Sequence, residues 1–166
     1  MIILGIDPGY AIVGIGVIEF SGNKFKCLEY KAITTPAGMS VPDRLQAIYQ
    51  GIEFYINKYK PDAAAVEELF FNSNQKTAIM VAQARGVILV AAKNKGIPLY
   101  EYTPLQIKQA VTGYGRADKK QIQSMVRMIL NLNAIPKPDD AADGLAVAIC
   151  HAHSANINTK FGINRI

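Results

Sequence analysis

The chain opens with three strand-like segments joined by short turns and then changes hydrophobic period, which constrains its fold more than any other feature. Ile2 to Ile6 is an unbroken apolar run stopped by Asp7-Pro8-Gly9. Ile12 to Phe20 follows, rich in Val and Ile, and after Ser21-Gly22-Asn23 a third segment spans Lys24 to Thr34. Runs of β-branched residues bounded by Gly, Pro, Asn and Asp read as strands and turns, and connections this short join antiparallel neighbours. Beyond Pro36 the period becomes helical. Ser40 and Asp43 form a capping pair, and Leu45, Ile48, Ile52, Ile56 and Tyr59 recur on one face until Pro61.

From there strands and helices alternate. Ala63 to Val66 is a brief apolar strand running into Glu67 and Glu68. Gln75 to Asn94 is helical in period but apolar on more than one face, as in a central helix or one at a subunit interface. A strand at Pro98 to Tyr102 precedes a helix opened by Thr103-Pro104 and closed near Gly113, then a helix from Lys119 to Leu130 and a loop from Asn131 to Pro138. A last helix runs from Asp139 or Asp140 to about His153, and the polar stretch 154–166 is expected to be poorly ordered. The expectation is one α/β domain over 1–153, a mixed five-stranded sheet with helices on both faces.

Bulk properties narrow the function classes. With 166 residues, half of them hydrophobic, the chain can build an ordinary core. No run approaches the roughly 20 apolar residues of a membrane helix, and Met1 to Ile6 lacks the basic lead of a signal peptide, so a cytoplasmic protein without membrane partners is expected. Cys27 and Cys150 suit reduced, buried thiols. The formal charge of +5 points toward a polyanionic partner. With four acids withdrawn into a metal site, 9 acids would remain to face 18 bases, a stronger field for phosphates.

Carboxylates carry the chemical signal. Asp7 closes an apolar strand, where open α/β sheets place their ligand sites, although Asp also favours turns. Glu67 and Glu68 repeat the arrangement; adjacent strand residues face opposite sides, so one of them shares a face with Asp7, and periodicity does not choose which. In Asp139-Asp140-Ala141-Ala142-Asp143, residues 140 and 143 lie on one helical face, while Asp139 suits a cap. Four buried carboxylates would repel and raise one another's pKa values unless a cation intervened. Mg²⁺ prefers oxygen ligands and keeps waters, which suits a site without Cys or His, and Mn²⁺ can substitute. His151 and His153, two apart and beside Cys150, have the wrong spacing for a zinc site, though His151 could approach the acids.

Several stretches together resemble the RuvC family of Holliday junction resolvases, over Ile2 to about His153. They are Gly5-Ile6-Asp7-Pro8-Gly9, Val66-Glu67-Glu68-Leu69-Phe70, Gln83-Ala84-Arg85-Gly86-Val87, Ile107-Lys108-Gln109 and Asp140-Ala141-Ala142-Asp143. The resemblance implies an RNase H-like fold, a catalytic metal tetrad of Asp7, Glu67, Asp140 and Asp143, and two-metal hydrolysis with two Mg²⁺ per site. It also implies a homodimer that cuts symmetrically placed strands of a four-way DNA junction in recombination and repair, with a RuvA-RuvB branch-migration complex as a further partner. The apolar helix 75–94, with Gly86 permitting close approach, supplies a candidate isologous interface.

Candidate DNA contacts are basic or aromatic. Lys108, Arg116, Lys119 and Lys120 cluster around two consecutive helices, and Lys76 and Arg85 lie on the long helix. Such residues often form only a solvated face; by resemblance, Lys108 and Lys119 match family positions near the cleaved phosphate. Phe70 matches a family aromatic that stacks on unpaired bases, while Phe71 is expected to pack inside. Three rival readings remain: an actin-like phosphotransferase using Gly14-Ile15-Gly16, a junction-binding protein without catalysis, and a nuclease acting on RNA-DNA hybrids or linear duplexes.

Overall fold

In the computed structural model, which describes residues 1–69, 75–161 and 164–166, with side chains described except at 75–76 and 156–161, five strands form one sheet. They are β1 (Ile2–Asp7), β2 (Ile12–Ser21), β3 (Lys24–Thr34), β4 (Ala63–Glu67) and β5 (Leu99–Tyr102), ordered β3-β2-β1-β4-β5. The pairs β1–β2 and β2–β3 are antiparallel; β1–β4 and β4–β5 are parallel. The expected mixed five-stranded sheet is therefore present, with the two parallel pairs reached through helical crossovers.

Strand alternation sorts the side chains into two cores. Ile3 of β1, Ile18 of β2 and Ala63 and Ala65 of β4 pack against α3 (Pro104–Thr112), α4 (Lys119–Ile129) and α5 (Asp139–Phe161). Leu4, Ile6, Val13, Ile15, Val17, Ala64 and Val66 pack on the opposite face against α1 (Val41–Tyr59) and α2 (Gln75–Asn94). Because side chains alternate strictly along a strand, Asp7 falls on the face of Ile3, and Glu67 on the face of Ala63 and Ala65, which is the same face.

Local chemistry fixes the helix ends. Ser40 caps α1 through the Asp43 amide, and Thr103 and Asp118 each form a reciprocal capping box, with Gln106 on α3 and Gln121 on α4. Gly113 closes α3 in the left-handed conformation at φ 72°. The last helix runs eight residues past the expected end at His153, to Phe161. Residues 164–166 then pair with β5 through bonds from the Glu101 amide to the Asn164 carbonyl and from the Ile166 amide to the Leu99 carbonyl. The edge of β5 is a template that backbone groups satisfy whatever their side chains. No helix among the described residues is long and apolar enough to cross a membrane.

Candidate active site

The parallel pairing of β1 and β4 puts their carboxyl ends side by side. Ile6 is in register with Val66, so the next residues, Asp7 and Glu67, emerge together at one end of the sheet. Glu67 is half-buried on the Asp7 side, and Glu68, on the opposite parity, is exposed. The ambiguity between the two glutamates disappears once the strand has a defined face.

Helix α5 brings the other two acids by lying unusually close to the sheet. A Cβ on Gly14 would overlap the Asp140 carbonyl oxygen, one on Gly16 would overlap the Leu145 backbone, and one on Gly5 would overlap the Gly144 carbonyl. Gly14 is also the residue paired with Asp7 across β1–β2. The first turn of α5 thus rests on the strand pair that carries Asp7; Asp143 lines the same cleft as Asp7, and Asp140 lies near enough for its charge to act on Asp7. This cradle of glycines was missed in the sequence. Gly14-Ile15-Gly16 suggested phosphate binding, yet both glycines are covered by helix backbone and offer no room for a nucleotide.

The electrostatics report a crowded acid cluster. Asp7 is pushed well above the ordinary carboxylate range, first by desolvation and then by the charges of Glu67, Asp143 and Asp140. Glu67 is raised by desolvation and by Asp143, against a lowering hydrogen bond from Asp7 and the charge of Lys108. Asp143 is raised by desolvation, although Lys119 opposes it with its charge and a hydrogen bond. Asp7, Glu67, Lys108 and Asp143 line one cleft of about 270 Å³ with Pro104, Ile107, Ile122 and Ala146. As they stand, no three His, Cys, Asp or Glu side chains among the described residues form a group that could hold a metal ion. The donor set nevertheless fits a hard divalent cation: it is all oxygen, half-buried and mutually repulsive.

Two lysines flank the acids. The Lys119 ammonium lies 3.3 Å from Asp143 Oδ2 and 3.7 Å from Asp139 Oδ2. Asp139 is also 2.7 Å from the Lys137 ammonium, and that hydrogen bond holds its carboxyl below the ordinary range. Arg116 and Lys120 are exposed, and Lys120 directly follows Lys119 in α4. Lys120 faces a second cavity, of about 440 Å³, whose single acid, Asp118, is engaged in capping α4. The larger cavity therefore lacks the convergent charges of the smaller one.

Other expected residues fall elsewhere. Arg85 is paired with Glu101 of β5, with only 19% of its side chain exposed, so it ties α2 to the sheet and is not free at the surface. The pairing joins residues on separate elements, α2 and β5, so local sequence patterns do not disclose it. Phe70, Phe71 and the Lys76 side chain lie outside the described residues. His151 does not reach the acids. It is buried against the Tyr100 ring, its Nδ1 is 2.7 Å from the Tyr102 hydroxyl, and burial pulls its pKa down to about 4.

Residues 3–151 match the protein-family model for crossover junction endodeoxyribonuclease RuvC. The chain belongs to that family. It is 59% identical over 163 residues to the crossover junction endodeoxyribonuclease RuvC of Alkaliphilus oremlandii, covering 98% of this chain and 99% of that one. It is 61% identical over 154 residues to that of Clostridioides difficile, covering 93% and 91%. The structure of T. thermophilus RuvC in complex with Holliday junction substrate superposes with a TM-score of 0.90 at 38% identity, over 96% of this chain and 97% of that one. The fold is accordingly the RNase H-like fold of this family.

Proposed function

We propose that this protein is a divalent-metal-dependent endonuclease that resolves four-way DNA junctions by paired, symmetric phosphodiester cleavage in recombination and repair. The observation that supports this reading is that Asp7, Glu67 and Asp143 line one cleft with Lys108, with Asp140 acting on Asp7 through its charge and Lys119 paired to Asp143. Its relatives' shared name and the junction bound to T. thermophilus RuvC supply the substrate class.

The four carboxylates would hold two Mg²⁺ ions, with Mn²⁺ an alternative, and these supply an activated water and stabilise the departing oxygen. The chain's own residues do the rest. Burial on the α5 face keeps Asp7 and Glu67 short of solvent, so their full charge is favoured only when cations arrive. Lys108 and Lys119 set positive charge at the mouth of the cleft, where a bridging phosphate would enter. Arg116 and Lys120 extend that positive charge along the duplex arms, and Phe70 and Lys76 are proposed contacts by family position. Arg85, engaged with Glu101, is left out of the DNA surface.

Paired cuts need two copies, and α2 offers the surface. Ile79, Ala82, Gly86 and Val90 form an exposed stripe at helical spacing, with Ile79 61% and Val90 52% exposed. A Cβ on Gly86 would meet nothing, so that position is open to an approaching backbone. A homodimer through α2, acting in the cytoplasm with a RuvA-RuvB branch-migration complex, is the assembly proposed.

The deciding experiment sets a four-way junction, a linear duplex and an RNA-DNA hybrid side by side, in Mg²⁺ and in EDTA. Symmetric nicks in the junction alone, dependent on Mg²⁺, are expected. Binding without nicking would mark a non-catalytic junction protein, and comparable cutting of hybrid or duplex would mark a general nuclease.

A further inference from the structure

We infer that Lys119 is the resident counter-ion of the acid cluster in the DNA-free protein, and that divalent-ion binding displaces it and delivers its charge to the substrate phosphate. This rests on the metal-dependent reading above but adds an exchange between a side chain and the ions.

The geometry distinguishes Lys119 from Lys108. Both lysines border the cleft, but Lys119 makes ion pairs with Asp143 and Asp139, whereas no carboxylate among the described residues lies within ion-pair distance of Lys108. Lys108 acts on Glu67 only through its field. Lys119 is the first residue of α4, immediately after the cap Asp118, whose carboxylate accepts from the Gln121 amide at 2.9 Å. Its backbone is therefore anchored, while its side chain, 55% exposed, has room to swing. Desolvation weakens the ammonium, yet Asp143, Asp139 and Asp140 together favour the charged state.

A divalent ion drawing on Asp143 competes with Lys119 for the same carboxylate, and two cations at that spacing repel. The ammonium then leaves Asp143 and remains tethered at the rim, facing the place where a phosphate must lie. Lys137, on the other side of Asp139, keeps that carboxylate neutralised when Lys119 departs. By linkage, ion binding and the Lys119–phosphate contact must strengthen each other.

Mn²⁺ titration of the DNA-free protein tests the exchange, using K119Q and, as a control removing the same charge from the same cleft, K108Q. Lys119 is more than half exposed and Lys108 is partly exposed with no ion pair to lose among the described residues, so both variants should fold, which circular dichroism checks. K119Q should bind Mn²⁺ about threefold to fivefold more tightly than wild type, the scale of a partly exposed ion pair, while K108Q changes affinity by less than about twofold through a screened field. Junction affinity should fall in K119Q when measured in Ca²⁺ and stay near wild type in EDTA. Mn²⁺ affinity in K119Q no higher than in K108Q, or an equal loss of junction affinity with and without Ca²⁺, overturns the exchange. A wild-type protein that exchanges Lys119 for Mn²⁺ yet leaves junctions uncut would defeat the nuclease reading alone, and one that takes up no Mn²⁺ would defeat both.

Discussion

At Asp7 desolvation and three neighbouring acids all favour the protonated carboxyl, whereas metal binding needs it charged. The two demands give Asp7→Asn opposite effects on stability and on chemistry. Removing a crowded charge should raise metal-free stability by about 1 kcal/mol, after allowance for residual solvation. The same change should lower junction cutting by about a thousandfold or more, because a ligand charge is lost from the ion site, while junction binding persists. Thermal melts in EDTA, single-turnover cleavage and gel-shift binding on one preparation check all three; normal cutting would remove Asp7 from the site. The two glutamates should differ as their faces do. Glu67→Gln should behave like Asp7→Asn in cleavage, and Glu68→Gln should cut within about twofold of wild type, as expected of an exposed side chain away from the ions.

At the scale of elements, the site depends on how close α5 can come to β1 and β2. Gly16→Ala places a methyl against the Leu145 backbone, which cannot yield as a flexible side chain could. Overpacking of this kind should cost about 1–3 kcal/mol or more, and by lifting α5 it should reduce cutting beyond what the loss of folded protein explains. Denaturant unfolding with cleavage rates per folded molecule would show it; unchanged stability would mean that the helix tolerates the shift. Farther along α5, His151 is clasped by Tyr100 and Tyr102 and stays neutral. Its pKa is depressed from 6.5 to about 4, so below pH 6.5 the unfolded chain binds a proton that the native one refuses, and stability falls as pH drops toward 4. The loss should approach 3 kcal/mol, roughly, at the acid limit, and His151→Gln should flatten that part of the stability-pH curve.

These elements also show what the sequence could and could not disclose. Strands, helices and the caps at Ser40 and Thr103 were readable because those residues and the apolar periodicities act locally; the cap at Asp118 appeared only with the fold. Each acid was visible at its strand or helix end. Their convergence was not, because it depends on the parallel register of β1 with β4 and on glycines whose purpose appears only when a helix lies on them. Without the family resemblance, Glu67 and Glu68 would have stayed equivalent until the faces were assigned. The pairing of Arg85 with Glu101 and the bonds between residues 164–166 and β5 are likewise contacts between distant segments, which local composition does not disclose.

For the whole molecule the question is whether two sites act together, and α2 holds the answer. Phe54 of α1, Leu105 of α3 and Met128 of α4 are exposed as well, but on α2 Ile79 and Val90 are joined by the exposed Ala82 and Gly86 in one stripe. A single helix face of this size would contribute only part of a stable interface, so the proposed dimer should bury neighbouring surface as well and dissociate when the stripe's centre is charged. Val90→Glu puts an unpaired carboxylate into that contact, at a cost of about 2–5 kcal/mol, while leaving the monomer intact because Val90 already faces solvent. Sedimentation should then show a monomer with unchanged circular dichroism. With the acid cluster on the far side of the sheet from α2 undisturbed, that monomer should still nick a junction under metal, but its two nicks should become independent events, leaving singly cut junctions to accumulate. Coupled cuts from a monomeric Val90→Glu protein would separate pairing of the nicks from pairing of the chains; a dimeric Val90→Glu protein would move the interface away from α2.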